Sequence, residues 1–391
     1  MKKSVAVVLV VCLLFSLCGC SRASIIRLLD STDTSPEASA KATPVIAPEM
    51  TPGASDVADA DAAPSGTPDD TPLPTLDPTP EPSGKPAAQY LQIAYDPYLI
   101  SQRDIEIYGK DADMYCDFYR QYVEDVIDQR PDRSLPDGIR ALPGGNLAKN
   151  LFQRNHPLEG LVMDSTINIE ETHTLIAYHF GVEEHEEKVA LIAQKVEDII
   201  ASTICEDFSQ LEATLALYRY LSETSTYAWS GEDSTYGVLM NSQGVCVGFT
   251  SVLRLLLLQV GYDDGYTIIY TPDNKDEIGH VWNMININGN WYHFDITWEN
   301  TAASAPEKQL YYFGMTDAER ADPYIKHYEI ECAPKMPVPE CTDDAFSPLR
   351  SADECVYDLE NHRVYLLTYG KGWRLWNTQD MTFTEVDGPE I

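Results

Sequence analysis

The sequence predicts an α+β fold in which one buried helix packs on an antiparallel sheet. Residues from Val245 to Val260 are apolar on more than one face, as in a helix that is covered on all sides, and Gly261 follows as a C-terminal cap. Three β-rich runs come next, near Tyr266 to Tyr270, Val281 to Ile287 and Asn290 to Trp298. A sheet built from these three runs would cover one side of the helix.

The first 20 residues have the layout of a lipoprotein signal peptide. Lys2 and Lys3 precede an apolar run to Leu17, which is too short for a permanent membrane span, so we expect export and cleavage. The order Leu17, Cys18, Gly19, Cys20 resembles the lipobox of bacterial lipoproteins. The resemblance implies a lipid on Cys20, which would anchor the chain to the extracytoplasmic face of the cell membrane.

Residues 21–88 are predicted to form a disordered tether rather than a domain. From Ser31 onward they are mostly Pro, Thr, Ala, Ser and Asp, and the closely spaced prolines after residue 71 prevent both helices and strand ladders. We expect one domain at residues 89–335, with its core at about 183–314, and a small β-meander at 340–391.

Composition excludes several classes of partner and site. The formal net charge is −35, and no stretch after Lys3 gathers the basic residues that a nucleic acid would require. The cysteines after Cys20 fit no zinc pattern, and the acidic residues between Asp263 and Glu277 lack the spacing of a calcium loop. We therefore expect no metal and no cofactor, while disulfide pairing and oligomeric state stay open.

Helices and strands are also predicted on both sides of the central region. Helical spacing of apolar residues indicates helices near Asp113 to Asp128, Val189 to Ile200 and after Asp207, the last capped by Asp207 or Ser209. A strand is expected at Thr174 to Phe180. The C-terminal meander, which either extends the central sheet or stands apart, is expected at Val364 to Tyr369, Trp373 to Trp376 and Thr382 to Val386.

The dipeptide Asn288–Gly289 predicts a two-residue hairpin turn between the second and third β-rich runs. Counting back from this turn places His280 opposite Thr297 and Trp282 opposite Asp295, so His280 and Asp295 become diagonal neighbours on one face. A carboxylate beside an imidazole fixes the ring tautomer and supports the imidazolium. The hairpin therefore predicts the orienting half of a catalytic triad.

Cys246 is the candidate nucleophile. It stands at the N-terminal end of the buried helix, between Gly244 and Gly248. A helix N-terminus and a nearby protonated histidine both favour the thiolate form of a cysteine, which is the form that attacks a carbonyl carbon. Taken alone, a cysteine in this position is more often a plain buried residue; His280 and Asp295 in register favour the catalytic interpretation.

The other histidines are interpreted as structural. His293 shares a strand face with Asp295 and is the alternative base, but aromatic residues surround it in the sequence. The histidines that have no second ligand at metal spacing, and that we expect at the surface or hydrogen-bonded, are His156, His173, His179 and His185.

Three motifs together resemble the core of the transglutaminase-like cysteine peptidases, which are related to papain. The motifs are Gly244 to Phe249, Gly279 to Asn283 and Trp291 to Trp298, and the resemblance covers roughly Tyr227 to Gly314. It implies the papain-like arrangement in which a helix opens with the nucleophile Cys246, and neighbouring strands carry the base His280 and the orienting Asp295.

The oxyanion donor stays open at this point. Papain relatives carry a glutamine six positions before the cysteine, and here that position is Met240. The candidates are the backbone N–H groups of Cys246 and Val247 and the side chains of Gln243 and Tyr236. Trp282 and Trp298 either line the cleft or belong to the plain core, as aromatic residues beside a buried helix more often do.

The expected function is thiol-based chemistry on peptide or protein amides at the cell surface. Either a backbone bond or a glutamine side chain would form a thioester with Cys246, and hydrolysis is favoured over cross-linking because no amine-acceptor site is evident. The alternative is a catalytically silent binding module that keeps the fold.

Overall fold

The computed structural model of the chain describes residues 88–135, 147–168, 173–228, 235–273, 278–301, 310–320, 325 and 327–389. The signal peptide with Cys20, and the tether as far as residue 87, lie outside the described residues. Within these ranges no helix has both the length and the apolar character needed to cross a membrane. Helices and antiparallel sheets are mixed along the chain, which confirms the α+β prediction.

The helices and strands of the described ranges have the following bounds. The α-helices are α1 Gln102–Tyr108, α2 Ala112–Ile127, α3 Leu147–Asn155, α4 Val182–Thr203, α5 Gln210–Thr224, α6 Thr235–Asn241, α7 Cys246–Gln259, α8 Ile296–Thr301, α9 Asp317–Arg320 and α10 Ser347–Arg350. The strands are β1 Asp132–Ser134, β2 Val162–Asn168, β3 His173–Tyr178, β4 Thr226–Tyr227, β5 Gln243–Gly244, β6 Gly265–Tyr270, β7 His280–Ile287, β8 Asn290–Phe294, β9 Glu329–Ile330, β10 Glu354–Asp358, β11 Arg363–Thr368, β12 Gly372–Asn377 and β13 Thr382–Val386.

The predicted central helix is α7, and it lies at the middle of the core. Leu253 and Leu256 are completely buried, and burying one leucine side chain stabilises the fold by about 1.5–3 kcal/mol. Gly261 follows the helix with φ +85°, a backbone conformation that glycine adopts without strain. Helix α5 packs on α7, and its N-cap is Ser209 rather than Asp207, because Ser209 and Glu212 form a capping box.

The central sheet has the strand order β8-β7-β6-β9, and its neighbouring strands pair antiparallel. Asn288 and Gly289 have φ +54° and +92°, as a type I′ turn requires, and Ile287 pairs with Asn290. The pairing continues in the predicted register as far as Asn283 opposite Phe294.

The third predicted strand is shorter than the sequence indicated. Strand β8 ends at Phe294, and helix α8 begins two residues later. The predicted pairings of His280 with Thr297 and of Trp282 with Asp295, and the strand position of Trp298, are therefore wrong. Asp295 ends the strand because it caps the helix: its Oδ1 accepts the Trp298 N–H at 3.1 Å, and its carbonyl accepts the Glu299 N–H at 3.1 Å. Aspartate is unfavourable in strands and favourable as an N-cap.

The C-terminal strands form a separate four-stranded sheet, β10-β11-β12-β13, which includes a strand that the sequence did not indicate, β10. Val364, Leu366 and Trp376 are completely buried in the same apolar cluster as the residues of α7. The buried Glu212 carboxylate of α5 accepts hydrogen bonds from His362 Nδ1 at 2.7 Å and from the Thr378 hydroxyl. Apolar packing and one buried carboxylate therefore join this sheet to the helices.

Candidate active site

Cys246 is the first residue of α7 and is half-buried. Strands β4 and β5 pair in parallel just before it, with Tyr227 opposite Gly244, and the Ala228 N–H donates to the Gly244 carbonyl at 3.0 Å. The first N–H groups of a helix have no acceptor within that helix, and the helix dipole favours negative charge at this end. The thiol therefore lies where an anion is stabilised.

His280 is the first residue of β7, and two side-chain hydrogen bonds fix β7 against the helix that carries Cys246. Asn283 Nδ2 donates to the Thr250 carbonyl at 3.0 Å, and the Thr250 hydroxyl donates to the Val281 carbonyl at 3.3 Å. All three residues are buried. The relative position of the thiol and the imidazole therefore depends on a rigid part of the core.

Asp295 contacts the His280 ring directly. His280 Nε2 and Asp295 Oδ2 are 2.7 Å apart, and the Asp295 side chain is fully buried. The Asp295 backbone N–H donates to the Tyr312 carbonyl at 3.1 Å, so the carboxylate is held at both its backbone and its side chain. The predicted contact is present, although the residues meet where a strand passes into a helix and not as diagonal neighbours within a strand pair.

The contact with Asp295 changes the pKa of both partners. Burial by itself lowers the pKa of His280, but the charge and hydrogen bond of Asp295, together with a hydrogen bond to Cys246, outweigh it and raise the pKa to about 9. Burial by itself raises the pKa of Asp295, but His280, Arg320 and the Trp298 N–H lower it below its usual value. At neutral pH the pair is therefore an imidazolium and a carboxylate.

Two tryptophans enclose the imidazole. The His280 ring stacks on Trp282 and on Trp298, with centroid separations of 5.7 and 5.3 Å. The Arg320 guanidinium also lies between the two indoles, 4.3 Å from the Trp282 centroid and 4.1 Å from the Trp298 centroid, and its NH2 is 3.4 Å from Asp295 Oδ2. Sequence reasoning missed Arg320, because nothing near it in the chain indicates a link to residues 280–298.

One group of potential metal ligands occurs in the described part of the chain, formed by His293, Asp317 and Cys341. His293 Nδ1 accepts the Trp282 indole N–H at 2.9 Å, and His293 Nε2 lies 2.9 Å from Asp317 Oδ1. A metal on Nε2 would therefore require a ring with no proton on either nitrogen. The donor set does not fit a metal ion, and the network instead fixes the Trp282 indole.

The oxyanion candidates occupy different environments. Gln243 is exposed in β5, whereas the N–H of Val247 belongs to the first turn of α7, beside the thiol. Tyr227, which sequence reasoning missed, lies opposite Gly244, and burial together with the charge of Cys246 raises the pKa of its phenol to about 12. A protonated phenol is a hydrogen-bond donor, so Tyr227 joins Val247 as a candidate.

The six cysteines of the described residues are free thiols. Burial raises the pKa of five of them, namely Cys116, Cys205, Cys332, Cys341 and Cys355, to about 11 in Cys205 and Cys355 and to about 12 in Cys341. A thiol with a raised pKa carries little thiolate at neutral pH and reacts slowly with electrophiles. Selective labelling at neutral pH can therefore test Cys246.

Comparison with known proteins agrees with the motifs. Residues 198–296 match the model of the transglutaminase-like superfamily, and this range contains Cys246, His280 and Asp295. A search of curated proteins finds no match. The match confirms the family resemblance that the three motifs indicated.

Two solved structures are similar over part of the chain. One is a TGase, with 16% identity, 32% of this chain and 40% of that chain covered, and a TM-score of 0.24. The other, from Cytophaga hutchinsonii, is described as a candidate cysteine protease, with 19% identity, 28% and 37% covered, and a TM-score of 0.21. The chain thus spans about two fifths of the length of each.

Proposed function

We propose, from the match of residues 198–296 to the transglutaminase-like superfamily, that this chain is a thiol enzyme that acts on peptide or protein amides. Cys246 is the nucleophile, and His280 is the general base and acid. Asp295 orients the His280 ring and stabilises its protonated form. The observation that carries the proposal is a half-buried thiol at a helix N-terminus beside an imidazole whose Nε2 is 2.7 Å from a buried carboxylate.

The chemistry follows from the two ring nitrogens of His280. Because Nε2 faces Asp295, Nδ1 is the nitrogen that exchanges protons with Cys246. The Cys246 thiolate attacks the amide carbon, the C–N bond breaks, and Nδ1 gives its proton to the departing amine or ammonia. Water then attacks the thioester, Nδ1 takes one of its protons, and the acid is released as the Cys246 thiolate leaves, which restores the thiolate and the imidazolium.

We further propose that the enzyme acts at the extracytoplasmic face of the cell membrane. A lipid on Cys20 would anchor it, and the proline-rich segment to residue 88 would separate the folded part from the membrane. Substrates would then be peptides or proteins outside the cytoplasm. This location rests on the amino-acid sequence of the first 88 residues.

Labelling with a chloroacetamide probe at pH 7 tests the nucleophile. We expect one labelled thiol in the wild-type chain, and loss of that label in Cys246→Ala. Cys355→Ala is the matched control, because Cys355 is also half-buried while burial raises its pKa to about 11. Equal labelling of wild type and Cys246→Ala would contradict the assignment.

A second assay separates the reactions that a thioester permits. Peptides that contain glutamine are incubated with and without a primary amine, and ammonia, new N-termini and incorporated amine are measured. New N-termini indicate a peptidase, ammonia with no incorporated amine indicates an amidase, and incorporated amine indicates acyl transfer. We expect hydrolysis, abolished in Cys246→Ala; a reactive thiol without any of these products would support the silent binding module.

A further inference from the structure

Arg320 occupies an unusual position for an arginine, since it lies inside the cleft wall beside the imidazole. Its side chain is only 1% exposed, and its guanidinium carbon is within 4.3 Å of both indole centroids. His280 stacks on the same two indoles. Trp282 and Trp298 therefore hold two planar cations next to each other, and Asp295 Oδ2 contacts both of them.

The backbone around Arg320 is fixed from two directions. Helix α9 has its own capping box, in which Thr316 and Glu319 exchange hydrogen bonds, and the Arg320 N–H donates to the Thr316 carbonyl at 2.8 Å. Arg350 pairs with Glu319 and donates to the Gly314 carbonyl at 2.6 Å. These hydrogen bonds fix helix α9, so the side chain of its last residue, Arg320, has a defined position.

The charges of this cluster decide what Arg320 does. A buried cation is strongly unfavourable without an anion, and Asp295, whose side chain is fully buried, supplies one. Arg320 in turn helps to keep Asp295 ionised, since a carboxylate beside a guanidinium resists protonation. Being positive, Arg320 also opposes the positive charge on His280, so it limits how strongly Asp295 can hold the imidazolium proton.

We propose that Arg320 is a positioning residue of this site: it keeps Asp295 ionised and aimed at His280, and it prevents His280 from binding its proton too tightly to act as an acid. The catalytic meaning of this statement rests on the proposed thiol chemistry. The effect of Arg320 on the protonation of His280 does not depend on that chemistry, because this protonation can be followed without any substrate.

Other ionisable groups surround the same cluster, and the variants used in the test must leave these residues unsubstituted. The groups that face His280, Asp295 or Arg320 from the neighbouring elements are Cys246, Tyr218, Glu299, Tyr312, His293 and Tyr328, and Asp317 contacts the last two of these. None of them changes in the variants below, so a shift in the titration of His280 reports on residue 320.

The experiment follows the His280 imidazole by NMR between pH 5 and 11 in the wild type, Arg320→Met, Arg320→Lys and Arg254→Met. Methionine removes the charge but keeps an apolar chain between the indoles, whereas lysine keeps the charge. Arg254 is the matched control because it also pairs with an aspartate, at 3.1 Å from Asp104, and it lies about two helical turns along α7 from Cys246.

We expect the His280 midpoint to rise by about half a unit or more in Arg320→Met, to return close to the wild-type value in Arg320→Lys, and to stay constant in Arg254→Met. The alkaline limb of the pH profile of Cys246 alkylation should move with it. If Arg320→Met does not fold, Arg320→Gln is judged by the same criteria, since it also lacks the charge.

A midpoint that stays constant or falls in the uncharged variant would overturn the proposal. The proposal would also be overturned if Arg320→Lys did not restore the wild-type midpoint of His280, or if Arg254→Met shifted that midpoint equally. Failure of the proposed function has a different signature, namely a wild-type Cys246 that is no more reactive than Cys355 and no hydrolysis of any amide, whatever the titration of His280 shows.

Discussion

Replacement of Asp295 by asparagine is the sharpest test of the site, because the structure determines which way the new amide must point. Oδ1 of Asp295 accepts the Trp298 N–H at 3.1 Å and so caps helix α8. An asparagine that keeps this cap must place its oxygen there, and its NH₂ then faces His280 Nε2. The ring must accept that hydrogen bond, so its proton moves to Nδ1, which faces the thiol. This tautomer cannot take the thiol proton.

The pKa of His280 indicates the size of the effect. It is raised from 6.5 to about 9, and one unit corresponds to about 1.4 kcal/mol of preference for the imidazolium. Burial opposes this shift, and Asp295 is the largest contribution in its favour. Without the carboxylate we expect the midpoint to fall below about 7, so that less than about half of the rings are protonated at pH 7.

The expected loss of turnover in Asp295→Asn is about 10²–10³-fold. It is smaller than the roughly 10⁴-fold loss in serine triads, because a cysteine reaches its anion with less help than a serine. The assay is Cys246 alkylation by iodoacetamide from pH 5 to 10, together with turnover. We expect the neutral-pH rate of alkylation to fall and the rate to rise with pH as in an ordinary thiol.

Asparagine caps a helix as well as aspartate does, but Arg320 loses its buried anion, so we expect Asp295→Asn to lower the free energy of unfolding as well as the rate. A raised histidine pKa contributes stability that is fully present below pH 6.5 and is lost as pH rises through about 9. The free energy of unfolding of the wild type should therefore decrease over this window, by up to about 3 kcal/mol. In Asp295→Asn this decrease should be much smaller.

Asp104→Asn is the matched control, since Asp104 also pairs with an arginine, but that residue, Arg254, lies about two helical turns along α7 from Cys246. It should lose stability without any change in the pH profile of alkylation. The reasoning would be refuted if Asp295→Asn left both alkylation and turnover unchanged while His293→Ala abolished them, because His293 would then be the base.

Three further predictions concern other parts of the chain. Mass spectrometry of the mature protein should find a lipid-modified Cys20 at its N-terminus, and full release of the wild type into the medium would contradict this. A chain that begins at Gln89 should have the same melting temperature as the full mature chain, because the tether offers almost no apolar surface to bury; a large decrease would show that the tether packs on the fold. Glu212→Gln should lower the free energy of unfolding by about 1–3 kcal/mol, measured with denaturant, because it weakens the hydrogen bonds to His362 and Thr378; an altered alkylation rate would contradict a purely structural role.

Signals that lie within a few residues were sufficient to predict the centre of the fold. The apolar character of residues 246–259 identified the buried helix, because a helix covered on all sides has no polar face. Asn288 and Gly289 determined the hairpin register, because both residues adopt positive φ and thereby permit a two-residue turn. The placement of His280 near Asp295 followed from the hairpin turn.

The end of β8 shows where a local signal was present but misinterpreted. Aromatic and β-branched residues continue from Trp291 to Trp298, and this pattern favours a strand. Asp295 interrupts it with a side chain that caps a helix, and the cap prevailed because the Asp295 backbone and side chain are both bonded in that geometry. A hydrophobic pattern alone does not distinguish a strand that continues to Trp298 from a strand that ends at Phe294 and is followed by a helix.

Contacts between distant segments were decided only by the tertiary structure. Arg320 follows Asp295 by 25 positions, and Glu212 and His362 are 150 positions apart, yet each pair forms buried polar contacts. A buried charge depends on the particular partners that folding brings around it, and hydrophobic periodicity carries no information about those partners. The sequence by itself therefore determined the helix, the hairpin and the triad candidates, whereas the packing of distant segments determined Arg320 between the tryptophans, Tyr227 beside Gly244 and the docking of the C-terminal sheet.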